Sequence, residues 1–206
     1  MGSDEFAEGA AEIAHRDPAM AAIIEAAGPP VLRPPQESEF ASLVRAITFQ
    51  QLAGRAAMAI HGRFAAALPD GVTPAGVLAL PEPAFRAAGL SANKTASIRD
   101  LAAKTVDGTV PLGDLEGLGD DEIVQRLSSV RGIGKWTAEM FLMFQLRRPD
   151  VWPVDDLGVR KGYALIHRLP EPPKPRELQV LGDPYRPYRT VAAWYCWRAA
   201  ETIVPA

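Results

Sequence analysis

The residues best equipped for chemistry lie in the last third of the chain. Two adjacent carboxylates, Asp155 and Asp156, follow the extended stretch Val151-Trp152-Pro153-Val154 and stand where a helix starts at Leu157. A carboxylate there can cap the helix, or it can serve as an anion beside a reacting centre. One of the two should be the cap, and that is also the purely structural role open to both. About twenty residues upstream stands Arg131-Gly132-Ile133-Gly134-Lys135. Two glycines around one apolar residue let the backbone turn tightly and approach another molecule closely. The N–H groups at the start of the next helix then form an anion site, and Arg131 and Lys135 beside it suit a nucleic-acid phosphate. The same glycines could simply turn the chain between two helices.

The elements around these residues read as helices. Gly119-Asp120-Asp121-Glu122 opens an amphipathic segment with Ile123, Val124 and Leu127 on one face. Gly132 and Gly134 end it, and a second apolar run from Trp136 to Leu146 completes a helix-hairpin-helix. Nearer the N-terminus, Asp17 and Pro18 open a helix over Ala19 to Ala27 that stops at Gly28, before a proline-rich connector. A longer helix is expected over Ser38 to Gln51, with Phe40, Leu43, Val44 and Ile47 as its buried stripe. Gln50 and Gln51 at its end could cap helices or fill a gap left in DNA, and helix resumes over Ala56 to Leu68. Three short helices follow, opened by Thr73-Pro74, Pro81 and Ser91. The last runs to Val106, with Lys94, Arg99 and Lys104 on a solvated face and Lys94 placed to meet a phosphate. After the Asp156 helix, a loop from Pro170 to Pro175 leads to a final helix opened by Tyr185-Arg-Pro-Tyr-Arg189 and carrying Val191, Trp194, Cys196 and Trp197. No strand, repeat or heptad emerges, so the fold class is all-α.

Composition bounds the function. The 206 residues, nearly half of them apolar, are enough for a real core. One cysteine, Cys196, excludes an internal disulfide framework and a four-cysteine zinc or iron–sulfur site. No apolar run reaches membrane-spanning length, and acidic residues near Met1 stand where a signal peptide needs basic ones, so a cytoplasmic or nucleoid-associated protein is expected. A net charge of −3 argues against coating long stretches of nucleic acid, while allowing a small footprint of backbone N–H groups and a few local cations. His15, His61 and His167 lack ligand spacing and are expected to be structural or surface groups.

Taken together, Arg131-Gly-Ile-Gly-Lys-Trp-Thr-Ala138, Trp152-Pro-Val-Asp-Asp156-Leu-Gly-Val-Arg160, Ile47-Thr-Phe-Gln-Gln-Leu52 and the segment from Tyr185 to Trp197 resemble the helix-hairpin-helix (HhH-GPD) DNA glycosylase superfamily. Within it they look like the AlkA-type 3-methyladenine DNA glycosylase II branch, over about Glu37 to Ile203. The resemblance implies two helical lobes with a DNA-binding cleft between them: residues 36–146 as a central lobe, and residues 1–35 with 147–206 as the other. The N-terminal β-domain of larger relatives has no room in this sequence, which is expected to open the cleft and widen the substrate range.

Carried over position by position, the resemblance makes Asp156 the catalytic carboxylate, because the family aspartate directly precedes the Leu-Gly-Val-Arg stretch. It leaves Asp155 as a cap or supporting group. An anion beside the sugar stabilises the positive charge of glycosidic cleavage and orients the attacking water. The position two after Gly134, a nucleophilic lysine in the strand-cleaving branch, is Trp136 here, which implies a monofunctional enzyme. Lys135 next to it should point about a hundred degrees away round the helix. Trp136 and Trp197 match base-pocket positions, where indole faces attract electron-poor alkylated bases; Trp152 and Trp194 are expected in the core. Met140 stands where the branch often carries tyrosine, and Phe49 is a further pocket wall. The intercalating wedge falls at Gln51 or its apolar neighbour Leu52, where relatives carry leucine. Arg131, Gly132, Gly134 and Lys135 form the phosphate clamp. No cofactor and no catalytic metal are implied, although a structural monovalent cation on the hairpin carbonyls is. The expected partner is double-stranded DNA carrying alkylated bases, bound by a monomer. A non-catalytic helix-hairpin-helix module would keep Gly132, Gly134 and Lys135 without needing Asp156 or the two tryptophans, and a bifunctional glycosylase-lyase would need an amine at position 136.

Overall fold

A computed structural model describes residues 3–115 and 117–203; Met1 and Gly2, part of the signal-peptide argument, lie outside the described residues. In chain order the helices are α1 (Ser3–Arg16), α2 (Pro18–Ala27), α3 (Glu39–Phe49), α4 (Gly54–Ala66), α5 (Pro74–Ala79), α6 (Glu82–Ala88), α7 (Ala92–Val106), α8 (Asp120–Ser128), α9 (Lys135–Phe144), α10 (Leu157–Ile166), α11 (Pro175–Leu181) and α12 (Arg189–Ile203), with one 3-10 turn at Asp183–Tyr185. No strand occurs among the described residues, so the chain is all-α. It divides into two units, Pro35–Phe141 and Met1–Pro34 with Leu142–Ala206. Residues 142–146, expected in the central lobe, group with the chain termini. There the Arg148 amide donates to the Leu142 carbonyl at 2.9 Å, and Phe144 stacks on Trp197.

In the central unit the stripe Phe40, Leu43, Val44 and Ile47 of α3 is fully buried. Ser38 caps α3 through Ala41, and Ser91 caps α7 through Lys94. Phe64 of α4 and Phe85 of α6 meet at 5.4 Å between ring centroids. The helix expected to reach Gln51 stops at Phe49, because Gln50 leaves helical geometry at φ −52°, ψ 130°.

In the terminal unit α10 and α12 form the most extensive helix pair. They meet backbone to backbone: a Cβ on Gly162 would lie 1.8 Å from the Cys196 carbonyl oxygen. Only glycine fits there, and Cys196 is buried beneath it. Tyr195 of α12 donates its hydroxyl to the Gly28 carbonyl at the end of α2, 2.9 Å away. Two elements lie beyond the sequence-based expectation. Helix α1 puts Phe6, Ala10 and Ile13 into the core at helical spacing. Helix α11 begins inside the proline-rich region, where Pro175 takes the first helical position and Glu177 accepts the Lys174 amide at 2.7 Å.

Candidate active site

The approach to Asp156 is rigid because its backbone is fastened at several points. Residues 151–154 are buried. Arg189, at the start of α12, donates Nε to Asp150 Oδ1 at 2.7 Å and Nη2 to Oδ2 at 3.0 Å, a two-pronged grip on the preceding turn. Thr190 accepts the Val151 amide at 3.0 Å and donates to the Arg148 carbonyl at 2.7 Å. Trp152 sits in the core, as expected, with its indole N–H on the Leu178 carbonyl at 2.8 Å.

The loop delivers Asp156 to the N-terminus of α10. Its Oδ1 accepts the Val159 amide at 2.9 Å, so Asp156 is the cap. Of the two roles left to Asp155, cap or supporting group, the cap therefore falls away; that residue is exposed one position earlier. The same Oδ1 accepts the Trp197 indole N–H at 2.9 Å. Two donors on one oxygen fix the carboxylate's plane, and the helix N-terminus favours its negative charge. Trp197 is half-buried and stacks with Phe144, centroids 5.9 Å apart and planes 27° apart. Gly158 completes the group: a Cβ there would lie 2.8 Å from Trp197 Cδ1 and 3.0 Å from Asp156 Oδ1. Neither Phe144 nor Gly158 was singled out from the sequence. The signal for Phe144 was its spacing of four and eight residues from Met140 and Trp136.

In the central unit the hairpin between α8 and α9 has Gly132 at φ +76°, and a Cβ there would also approach Ser97 Oγ to 2.7 Å. Glycine is thus required twice over. Ile133 and Val130 bury their side chains below the turn, and the Ile133 amide donates to the Val130 carbonyl. Asp100 of α7 accepts the Arg131 amide at 2.8 Å and the Lys104 ammonium at 2.9 Å. Burial pushes the Asp100 carboxyl upward, but these two donors outweigh it and hold the group below the ordinary carboxylate range. The Arg131 guanidinium donates to Asn93 Oδ1 at 3.1 Å, and Lys135 pairs with Glu139 at 3.5 Å; both cations remain on the exposed side. Trp136 is 48 % exposed and Met140 is half-buried one turn on. So large an exposed indole is not a core residue.

Gln51 and Leu52 share an exposed turn after α3, with Gln51 at φ +56°. Phe49 is half-buried, with the Arg45 guanidinium 5.1 Å over its ring and His61 edge-on at 6.3 Å. Gln50 ties this turn to the hairpin, its side-chain amide donating to the Gly132 carbonyl at 2.9 Å. The expectation for Lys94 is corrected. Its ammonium turns inward and donates to the Thr48 carbonyl and, at 2.8 Å, to the Gln50 carbonyl. Burial lowers this ammonium from the ordinary lysine value. Among the described residues, no group of three or more His, Cys, Asp or Glu is arranged to hold a metal, and no helix is long and apolar enough to cross a membrane.

The chain is similar to known repair proteins over most of its length. It is 38 % identical over 169 residues, 81 % of this chain and 74 % of the other, to DNA-3-methyladenine glycosylase 1 of Schizosaccharomyces pombe. Its fold matches that of S. pombe 3-methyladenine DNA glycosylase (Mag1) in complex with abasic DNA, with a TM-score of 0.79, 34 % identity and 93 % and 95 % of the two chains covered. A DNA-3-methyladenine glycosidase from Bacillus halodurans matches with a TM-score of 0.87 and 35 % identity, covering 94 % of this chain and 89 % of that one. The model of the HhH-GPD superfamily base excision DNA repair protein matches residues 44–186, and the chain belongs to that family.

Proposed function

We propose that the protein is a monofunctional DNA glycosylase that flips alkylated bases out of duplex DNA and hydrolyses their N-glycosidic bond, leaving an abasic site. The observation that carries this reading is Asp156, whose Oδ1 is held by the Val159 amide and the Trp197 indole N–H. Its relatives named as DNA-3-methyladenine glycosylases, and one of them bound to abasic DNA, support it.

Each residue has a role in this reading. Asp156 stabilises the positive charge that grows on the sugar as the base departs, and accepts the proton of the water that replaces it. An alkylated purine is already electron-poor or cationic, so it leaves without a strong acid. Trp197 and Trp136 hold it by stacking and cation–π attraction, about 0.5–2 kcal/mol for each contact, with Met140 and Phe49 as further walls. Gln51 or Leu52 fills the space of the flipped nucleotide. Arg131, Lys135 and the hairpin amides around Gly132 and Gly134 hold a phosphate. A structural monovalent ion at the hairpin would rest on carbonyls other than those of Gly132 and Ser129, which already accept from Gln50 and Lys104. The protein acts as a monomer on cytoplasmic or nucleoid DNA, and its lesions are 3-methyladenine-like, with 1-methyladenine and 3-methylcytosine as the wider set.

The test is release of free base from a panel of alkylated DNA. Asp156→Asn should slow release by about a hundredfold or more, the scale of losing a positioned catalytic group. Release at the wild-type rate by that variant would sink the mechanism. Borohydride should trap no protein–DNA adduct; a trapped adduct would mean an amine nucleophile and a lyase.

A further inference from the structure

Three residues after α3 adopt a conformation that the side chain at its centre disfavours. Gln50 has φ −52° and ψ 130°, Gln51 has φ +56°, and the Leu52 amide donates to the Phe49 carbonyl at 3.3 Å. These are the marks of a type II turn, which calls for glycine or asparagine at the position Gln51 holds. A type I turn would let Gln51 relax to negative φ by rotating the peptide between Gln50 and Gln51, swinging the Gln50 carbonyl to the other face.

That carbonyl is the one Lys94 holds, at 2.8 Å, while its ammonium also takes the Thr48 carbonyl. Capping α3 would require only the carbonyls of its last turn. Gln50 is the residue that ends the helix, its amide still on the Ala46 carbonyl, and beyond the last-turn Thr48 carbonyl the lysine also grips the peptide that decides the turn type. The Gln50 side chain meanwhile donates to the Gly132 carbonyl of the hairpin. Helix α7 supports both ends of this arrangement. It carries Lys94 under the turn, and Asn93, Ser97, Asp100 and Lys104 beside the hairpin.

We propose that Lys94 is a positioning residue: by holding the Gln50 carbonyl it locks the strained turn that presents Gln51 and Leu52 to DNA, in register with the phosphate-binding hairpin. Strained backbone persists only where its surroundings over-determine it, and such sites gather where a side chain must be pre-organised. The inference rests on the glycosylase reading. It says that the wedge enters the duplex already shaped, so that Lys94 matters where a base must be pulled out of a paired stack and much less where it is already unstacked.

The experiment measures single-turnover base release from DNA carrying 3-methyladenine in a fully paired duplex, and from the same strand with the lesion in an unpaired bubble. Lys94→Met should lower the duplex rate relative to the bubble rate by about tenfold, the cost scale of releasing one strained backbone conformation. Lys94→Arg, which can still donate to both carbonyls, should recover most of that ratio. Equal loss on both substrates, or loss on neither, overturns the proposal. If Lys94→Met melts below the wild type, both rates are measured at a temperature at which the variant is fully folded, and the same ratio decides. Absence of release by the wild type from either substrate overturns the glycosylase reading, and this inference with it.

Discussion

A missing methyl group shapes the chemistry around Asp156. Gly158 lies in the first turn of α10, and its bare Cα leaves the space in which the Trp197 N–H reaches the carboxylate. Gly158→Ala would push the indole, the carboxylate or both by several tenths of an ångström. Alanine is better than glycine in a helix by about 1 kcal/mol, which offsets part of the strain in the fold. The expected outcome is therefore a roughly tenfold fall in kcat for base release, since misplaced catalytic groups lose rate steeply, with a melting temperature close to that of the wild type. Unchanged kcat would show that the Trp197 contact does not shape the reacting carboxylate.

At the level of elements, a residue was legible where its own type announced its role and hidden where a distant partner decided it. Asp17 and Ser91 read as helix openers because a cap acts on its own next turn. The stripe from Phe40 to Ile47 read as buried from its period alone. Lys94 read as a surface cation, since nothing within its helix shows that two carbonyls 44 and 46 residues away will draw it inward. Helix α1 carries its period only in Phe6, Ala10 and Ile13, a stripe too thin among small and charged residues to announce a helix by itself. Helix α11 hid among prolines that its first position welcomes. The polar group joining α2, α10 and the 3-10 turn was likewise invisible until folded. There Asp17 accepts the Tyr185 hydroxyl at 2.6 Å, and His167 lies 3.1 Å from that hydroxyl and stacks on Tyr163 at 4.1 Å. Burial lowers the His167 imidazole from its ordinary value near 6.5, outweighing the nearby Asp17, which alone would raise it. Above that value the ring is neutral in both folded and unfolded chains and contributes nothing to the pH dependence. Below it the unfolded chain binds the proton more readily, so stability should fall as pH drops from about 6.5. His61 shifts in the same direction, again through burial. Urea midpoints at pH 7.5 and 5.5 should differ less in His167→Gln than in the wild type; an equal difference would remove His167 from the account.

On the scale of the whole molecule, a net charge of −3 must be reconciled with a polyanionic substrate. The local answer is a hairpin whose turn offers amides and two exposed cations, Arg131 and Lys135. So small a footprint should give a shallow salt dependence of DNA affinity. Each neutralised phosphate contributes about −0.9 to the slope of log K against log salt, so the slope should stay near −2 to −4, and Lys135→Ala should reduce its magnitude by about 1. A slope as steep as that of proteins making many phosphate contacts would place further cations on the DNA. The contact of Gly162 with the Cys196 carbonyl has a consequence of a different kind. A thiol is the softest nucleophile a protein offers to the electrophiles that damage DNA bases. This chain has one, sealed where two helices touch backbone to backbone, and burial pushes its pKa well above that of a free thiol. That thiol is therefore shielded from alkylating agents for as long as α10 and α12 stay together.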